Sequence, residues 1–263
     1  MSRRILIAGN WKMVKTTAET REFLSALTKR FPKREGVELA VCPPFTALQS
    51  AASVLKGSSI GLGAQDLFWE EEGAFTGEVS AKMLKEIGCR YVIIGHSERR
   101  HYFGETDETV HRKTKAALRA GLIPIVCIGE TLAQREKGET ASLLNRQIDG
   151  AFREAGKAAF SNEEFETVVI AYEPVWAIGT GKTATPAQAQ EAHQRIRQSL
   201  SSLTPGAEKT RILYGGSVKP DNIKSLIQQP DLDGALVGGA SLSIDSFVSI
   251  VEGARLEVQE KVS

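Results

Sequence analysis

Eight short runs of β-branched and apolar residues lie at positions 4–8, 38–42, 60–63, 91–94, 123–127, 168–172, 211–214 and 234–237. They recur about every thirty residues, the length of one strand–helix unit. Most are continuously apolar rather than alternating, which is the pattern of parallel strands covered on both faces. Helical start and stop signals fill the intervals. Thr16-Thr17-Ala18-Glu19 and Thr185-Pro186-Ala187-Gln188 are capping boxes, the second with proline at the first helical position. Thr106, with Asp107 and Glu108 behind it, opens a helix whose inner face is Val110, Thr114, Ala117 and Leu118 and which closes at Gly121. Eight such units in 263 residues predict an α/β fold: a closed (β/α)8 barrel of eight parallel strands ringed by helices, one domain over residues 1–263. A doubly wound open sheet is the alternative. It has less support, because Gly61-Leu62-Gly63 is the nearest approach to a dinucleotide fingerprint and Asp66 stands at its third glycine.

A formal net charge of +1 gives no global attraction to nucleic acid or membrane, so an anionic ligand needs a local site. Cys42, Cys89 and Cys127 form no C-x-x-C pair, and their odd count and wide spacing point to free thiols in a reducing compartment. The apolar run after Arg3-Arg4 is broken by Asn10-Trp11-Lys12, too soon for a signal-peptide core. No stretch approaches the ~18 apolar residues of a membrane span. A cytoplasmic protein is the simplest expectation.

In a barrel of this kind the chemistry sits where strands end. Polar residues collect there: Asn10-Trp11-Lys12 after the first run, Gly95-His96-Ser97-Glu98-Arg99-Arg100 after the fourth, and Gly129-Glu130 after the fifth. The sixth run delivers Glu173 to its tip, where Pro174 stops the strand because it has no N–H to give. A short apolar segment and Gly179-Thr180-Gly181 follow. This is the layout of a general base beside a hinged lid, and equally of a strand ending in a Pro/Gly turn with an exposed glutamate. Gly215-Gly216-Ser217 and Gly238-Gly239-Ala240-Ser241 follow the last two runs. They are either tight turns or N–H cradles for an anion, and the loops after strands seven and eight are this fold's common phosphate site.

Gly9-Asn10-Trp11-Lys12-Met13, Ile94 to Arg100, Ala171 to Gly181, Tyr214-Gly215-Gly216-Ser217 and Val237 to Leu242 together resemble the triosephosphate isomerases, in order and over essentially the whole chain. The resemblance implies an aldose–ketose isomerase of glycolysis and gluconeogenesis that interconverts dihydroxyacetone phosphate and glyceraldehyde 3-phosphate through an enediolate, with no cofactor and no metal. It implies Glu173 as base, His96 as a neutral imidazole polarising the carbonyl, Lys12 as a cation for substrate and oxyanion, and Asn10 orienting substrate oxygens. Glu98 belongs to the same site. Gly179, Ser217, Gly238 and Gly239 would hold the phosphate. The lid would hinge at Pro174-Val175-Trp176 and at Lys182-Thr183-Ala184. The segment from Gln65 to Glu78 resembles a loop that enters a neighbouring subunit's site, which implies a homodimer with Thr76 near Asn10 and Glu98 of the partner subunit. Exposed Phe75, with Phe68 and Trp69, suits that reading.

Other motifs fall away. His96-x-Glu98 lacks the P-C-x-x-C of a zinc deaminase. Gly181-Lys182-Thr183 ends like a P-loop, but Trp176 occupies the earlier glycine. His101, His111 and His193 read as structural or surface residues, Cys127 as packing beside the site, Arg99 with Glu105 as an ion pair, and Glu70-Glu71-Glu72 as a solvated loop face. Val14, Asp66 and Ser243 depart from residues common in the family, at positions that bear on the first loop and on subunit packing. Two rival readings remain at this stage: a Schiff-base aldolase with Lys12 as nucleophile, and a non-catalytic barrel scaffold.

Overall fold

A computed structural model describes residues 3–32, 36–178 and 183–260. The first strand, Leu6–Asn10, hydrogen-bonds to the second, Glu38–Cys42, on one side and to the last, Gly234–Val237, on the other, which closes the barrel. Gly61–Ala64, Tyr91–Ile94, Ile123–Ile128, Val169–Tyr172 and Arg211–Tyr214 complete the ring, and every barrel pairing is parallel. The open-sheet alternative is excluded by this closure. At the seam Gly234 has φ +138°, and a Cβ there would lie 1.9 Å from the Leu6 carbonyl oxygen. Only glycine lets the last strand come that close.

Continuous apolar runs arise because both strand faces are buried. Leu6, Ala8, Ala40, Ile93, Ile125, Ala171, Leu213 and Leu236 fill the barrel interior. Their neighbours Ile7, Val41, Val92, Val126, Ile170, Ile212 and Val237 belong to the larger core shared with the helices.

The capping signals act as expected. Thr16 with Glu19 opens the helix Thr17–Arg30, and Thr185 with Gln188 opens Pro186–Ser201. Helix Asp107–Arg119 buries Val110, Thr114 and Ala117, whereas Leu118 is only partly buried. It also buries Lys113, which periodicity does not anticipate, because that lysine's partners come from distant segments. Strand limits shift slightly. The first strand starts at Leu6, and the fifth extends to Ile128. The sixth starts at Val169, because Val168 caps the helix Asn162–Thr167 by donating its N–H to Glu164. A hairpin pairs Arg153–Glu154 with Lys157–Ala158, turning on Ala155 and Gly156 at positive φ. His193 is a core residue rather than a surface one. Its ring lies against the Asp231 carbonyl at 3.1 Å, and burial pushes its pKa down to about 3. No described helix is long and apolar enough to cross a membrane.

Candidate active site

A cavity of about 390 Å³ opens at the carboxyl ends of the strands. Asn10, Lys12, His96 and Glu173 line one part of it, and Ser217, Gly238 and Gly239 another. Strand ends alone bring them together, since they come from the first, fourth, sixth, seventh and eighth strands.

Asn10 is the last residue of its strand and is buried. Its Oδ1 accepts the Lys12 N–H at 3.0 Å, while the Gln65 amide donates to the Lys12 carbonyl at 2.8 Å. These two bonds hold Lys12 in left-handed backbone, φ +51°, which a residue with a Cβ seldom adopts unaided. The Lys12 ammonium is ion-paired with Glu98.

His96 caps the short helix Ser97–Tyr102 with its own ring, Nδ1 accepting the Glu98 N–H at 3.2 Å. Its Nε2 lies 2.9 Å from Glu173 Oε1. The other carboxylate oxygen accepts the Ser97 N–H at 2.8 Å. Burial alone would push the Glu173 carboxyl up. The His96 ring, the Ser97 N–H and the Lys12 ammonium outweigh it and hold the carboxyl below its ordinary value, so it is ionised at neutral pH. Burial pulls the His96 ring down, but Glu173 and then Glu98 pull it up, with a net rise. Against that rise stands the geometry at Nδ1. The Glu98 N–H lies closer to Nδ1, at 3.2 Å, than the Glu98 carboxylate, at 3.6 Å, and a ring that accepts from that N–H is neutral with its proton on Nε2.

Pro174 leads directly into a 3-10 turn at Val175–Ala177. Glu130, wholly buried, accepts bonds on Oε1 from the Tyr172 hydroxyl at 3.0 Å, the Trp176 indole at 3.1 Å and Arg135 at 3.1 Å. This ties the segment around Pro174 to the end of the fifth strand. Thr183 is exposed and Ala184 buried just before the next helix. Gly179 and Lys182 lie outside the described residues. Thr76 is exposed on the loop between Gln65 and Glu78.

Behind His96 stands a buried ionic quartet. Lys113 Nζ is 2.6 Å from Asp66 Oδ1 and also bonds Glu105; Arg99 reaches Asp66 at 2.8 Å and Glu105 at 2.6 Å. The free oxygen of Glu105 accepts the Gly95 N–H at 3.1 Å, immediately before His96. The expected Arg99–Glu105 pair is thus half of a larger cluster. Cys127 is buried beside the site, its thiol pushed well up by burial and then by Glu173. Sequence reasoning missed the Ser97 N–H, Gln65 as a clamp on Lys12, and Lys113. Their only signal was the polar content of the segments that carry them.

The comparisons agree over the same span. A family profile described as triosephosphate isomerase matches residues 5–254. The triosephosphate isomerase of Geotalea uraniireducens is 57% identical over 251 residues, 95% of this chain and 98% of that one. That of Carboxydothermus hydrogenoformans is 56% identical over 254 residues, 96% and 99% of the two chains. The crystal structure of triosephosphate isomerase from Bartonella henselae superposes with a TM-score of 0.84 at 40% identity, covering 96% of this chain and 99% of that one. With its closed barrel, its cavity at the strand ends and this likeness over nearly its whole length, the chain belongs to the triosephosphate isomerase family.

Proposed function

We propose that the chain interconverts dihydroxyacetone phosphate and glyceraldehyde 3-phosphate through an enediolate. One observation carries the reading. A buried, ionised carboxylate, Glu173, meets the Nε2 of His96 at 2.9 Å on the wall of a cavity that Lys12 and two glycine turns also line. The pairing of a carboxylate base with a neutral histidine is the established pattern of this family.

The chemistry follows from what each group can give. Glu173 takes the proton from the carbon beside the carbonyl. Leaving its rest position costs it the Ser97 N–H bond, and that carboxylate must swing toward the substrate. The His96 Nε2–H then points at the oxygen where negative charge develops, with the Lys12 ammonium and the Asn10 amide nearby. Preorganised donors of this kind are worth about 10²–10³-fold each in comparable sites. Ser217, Gly238 and Gly239 hold the phosphate at the far wall, joined by Gly179 on closure. Pro174, Val175 and Trp176 with Lys182, Thr183 and Ala184 are the two hinges. Glu98 sets the Lys12 ammonium by pairing with it.

The assembly is a homodimer formed through the loop from Gln65 to Glu78. Its support is apolar exposure: Met13 is 95% exposed and Phe75 42%, with Tyr102 and Phe103 also out in water. Thr76, exposed on that loop, lies toward the partner subunit's site. Three free, buried thiols suit a cytoplasmic protein.

Glu173→Gln tests the base. Its amide cannot take a proton, so turnover in a coupled assay should fall about 10²–10⁴-fold while inorganic phosphate binds as before. Full turnover by this variant would sink the assignment.

A further inference from the structure

A second cavity, about 280 Å³, also reaches Glu173. Glu173 lines both, and Val175 of the hinge segment lines the second. Its apolar wall is Ile128, Leu143 and Val175. Its polar groups are mostly donors. Arg100 is spent on Asp107 at 2.7 Å and on the Gly95 carbonyl at 2.9 Å. Arg146 is exposed and has no carboxylate partner among the described residues. The Gln134 side-chain oxygen accepts from Thr131, which leaves its NH₂ free to donate. The sole carboxylate on the cavity wall, Glu173, already has two donors of its own.

We propose that this second cavity binds a small organic carboxylate, its anionic end on Arg146 and Gln134 and its short apolar body against Leu143 and Val175, and that the bound molecule slows turnover. A lining that offers both free donors and hydrocarbon matches that chemistry, and the volume suits a molecule of benzoate size. Such a body packs against Val175, two residues after Glu173, and restrains that backbone at its rest position, which opposes the swing of the carboxylate toward substrate. The substrate cavity stays open, so the inhibition is not competitive. The effect on turnover rests on the reading of Glu173 as base.

Benzoate is the probe, with benzamide as its neutral isostere, in the coupled assay with glyceraldehyde 3-phosphate. Benzoate should lower kcat and leave KM nearly unchanged, while benzamide does neither. Arg146→Ala should keep its probe-free kcat yet require about tenfold more benzoate for the same inhibition, the loss of one charge-assisted bond. Arg146→Lys should recover part of the sensitivity. Benzoate that only raises KM occupies the substrate cavity as a phosphate mimic, and that result overturns the proposal. So does inhibition that Arg146→Ala leaves untouched, or no inhibition at all. None of these touches the isomerase reading, which stands or falls on probe-free turnover.

Discussion

Lys113→Met isolates the quartet behind His96. Lys113 is 4% exposed, and methionine has nearly the same volume, so the change removes a charge and leaves no cavity. Asp66 and Glu105 would then share only Arg99, whose side chain is 29% exposed. The cluster passes from two positive and two negative charges to a net negative one. Removing one partner of a buried ion pair costs about 3–5 kcal/mol. In a chain of this size that lowers Tm by roughly 6–20 °C. The direction with pH is also set. Burial raises Asp66 to about 6, above its ordinary 3.8, although Lys113 and Arg99 pull it down. A group raised on folding favours the native state when protonated, and that contribution is lost as pH rises through the folded value. Without Lys113 the folded value climbs further. The deficit of the variant therefore narrows as pH falls from roughly 8 to 5. Adding Asp66→Asn leaves Arg99 paired with Glu105 alone and should restore part of the loss. Thermal melts by circular dichroism at one fixed protein concentration measure all three proteins, since assembly would otherwise shift the midpoint. A single variant that melts within about 2 °C of the parent, or a double variant no more stable than the single one, refutes the reasoning.

A Cβ on Gly129 would fall 1.7 Å from the Glu173 carbonyl oxygen, so Gly129→Ala should part the fifth and sixth strands and lower both Tm and turnover sharply. Gly239→Ala is the control, because nothing lies within 4 Å of its Cβ; it should melt like the parent and show any loss only in phosphate binding. Iodoacetamide should label the native protein hardly at all. All three cysteines are buried, and burial pushes the Cys89 thiol up to about 12. Labelling in step with urea unfolding, read by mass spectrometry, is the expected course; rapid labelling of the folded enzyme would contradict it.

The barrel was legible because its rule is local. Each strand is a short apolar run and each helix carries its own cap, so Thr16 with Glu19 and Thr185 with Gln188 could be read from neighbours alone. Strand limits moved by a residue or two where a cap or a last ladder bond took precedence, as at Val168. The carboxylate at a strand tip, the histidine after another and the paired glycines were equally visible, since the fold puts its chemistry at strand ends. Asp66 appeared only as the break in a glycine fingerprint and as a departure from the family's common residue. Its meaning lay in Lys113 and Arg99, which no period in the sequence connects to it.

By itself, then, the chain's order of residues determined the ring of strands, the family and the residues that gather at one rim, because these depend on patterning along a few consecutive positions. The tertiary structure alone decided what those residues do to one another. Glu173 rests on the N–H of Ser97, 76 positions away, and Lys113 meets Asp66 across 47. Closing the barrel brings such pairs within a hydrogen bond in a dry interior. There a single proton or charge shifts the neighbouring groups far more than it would in water.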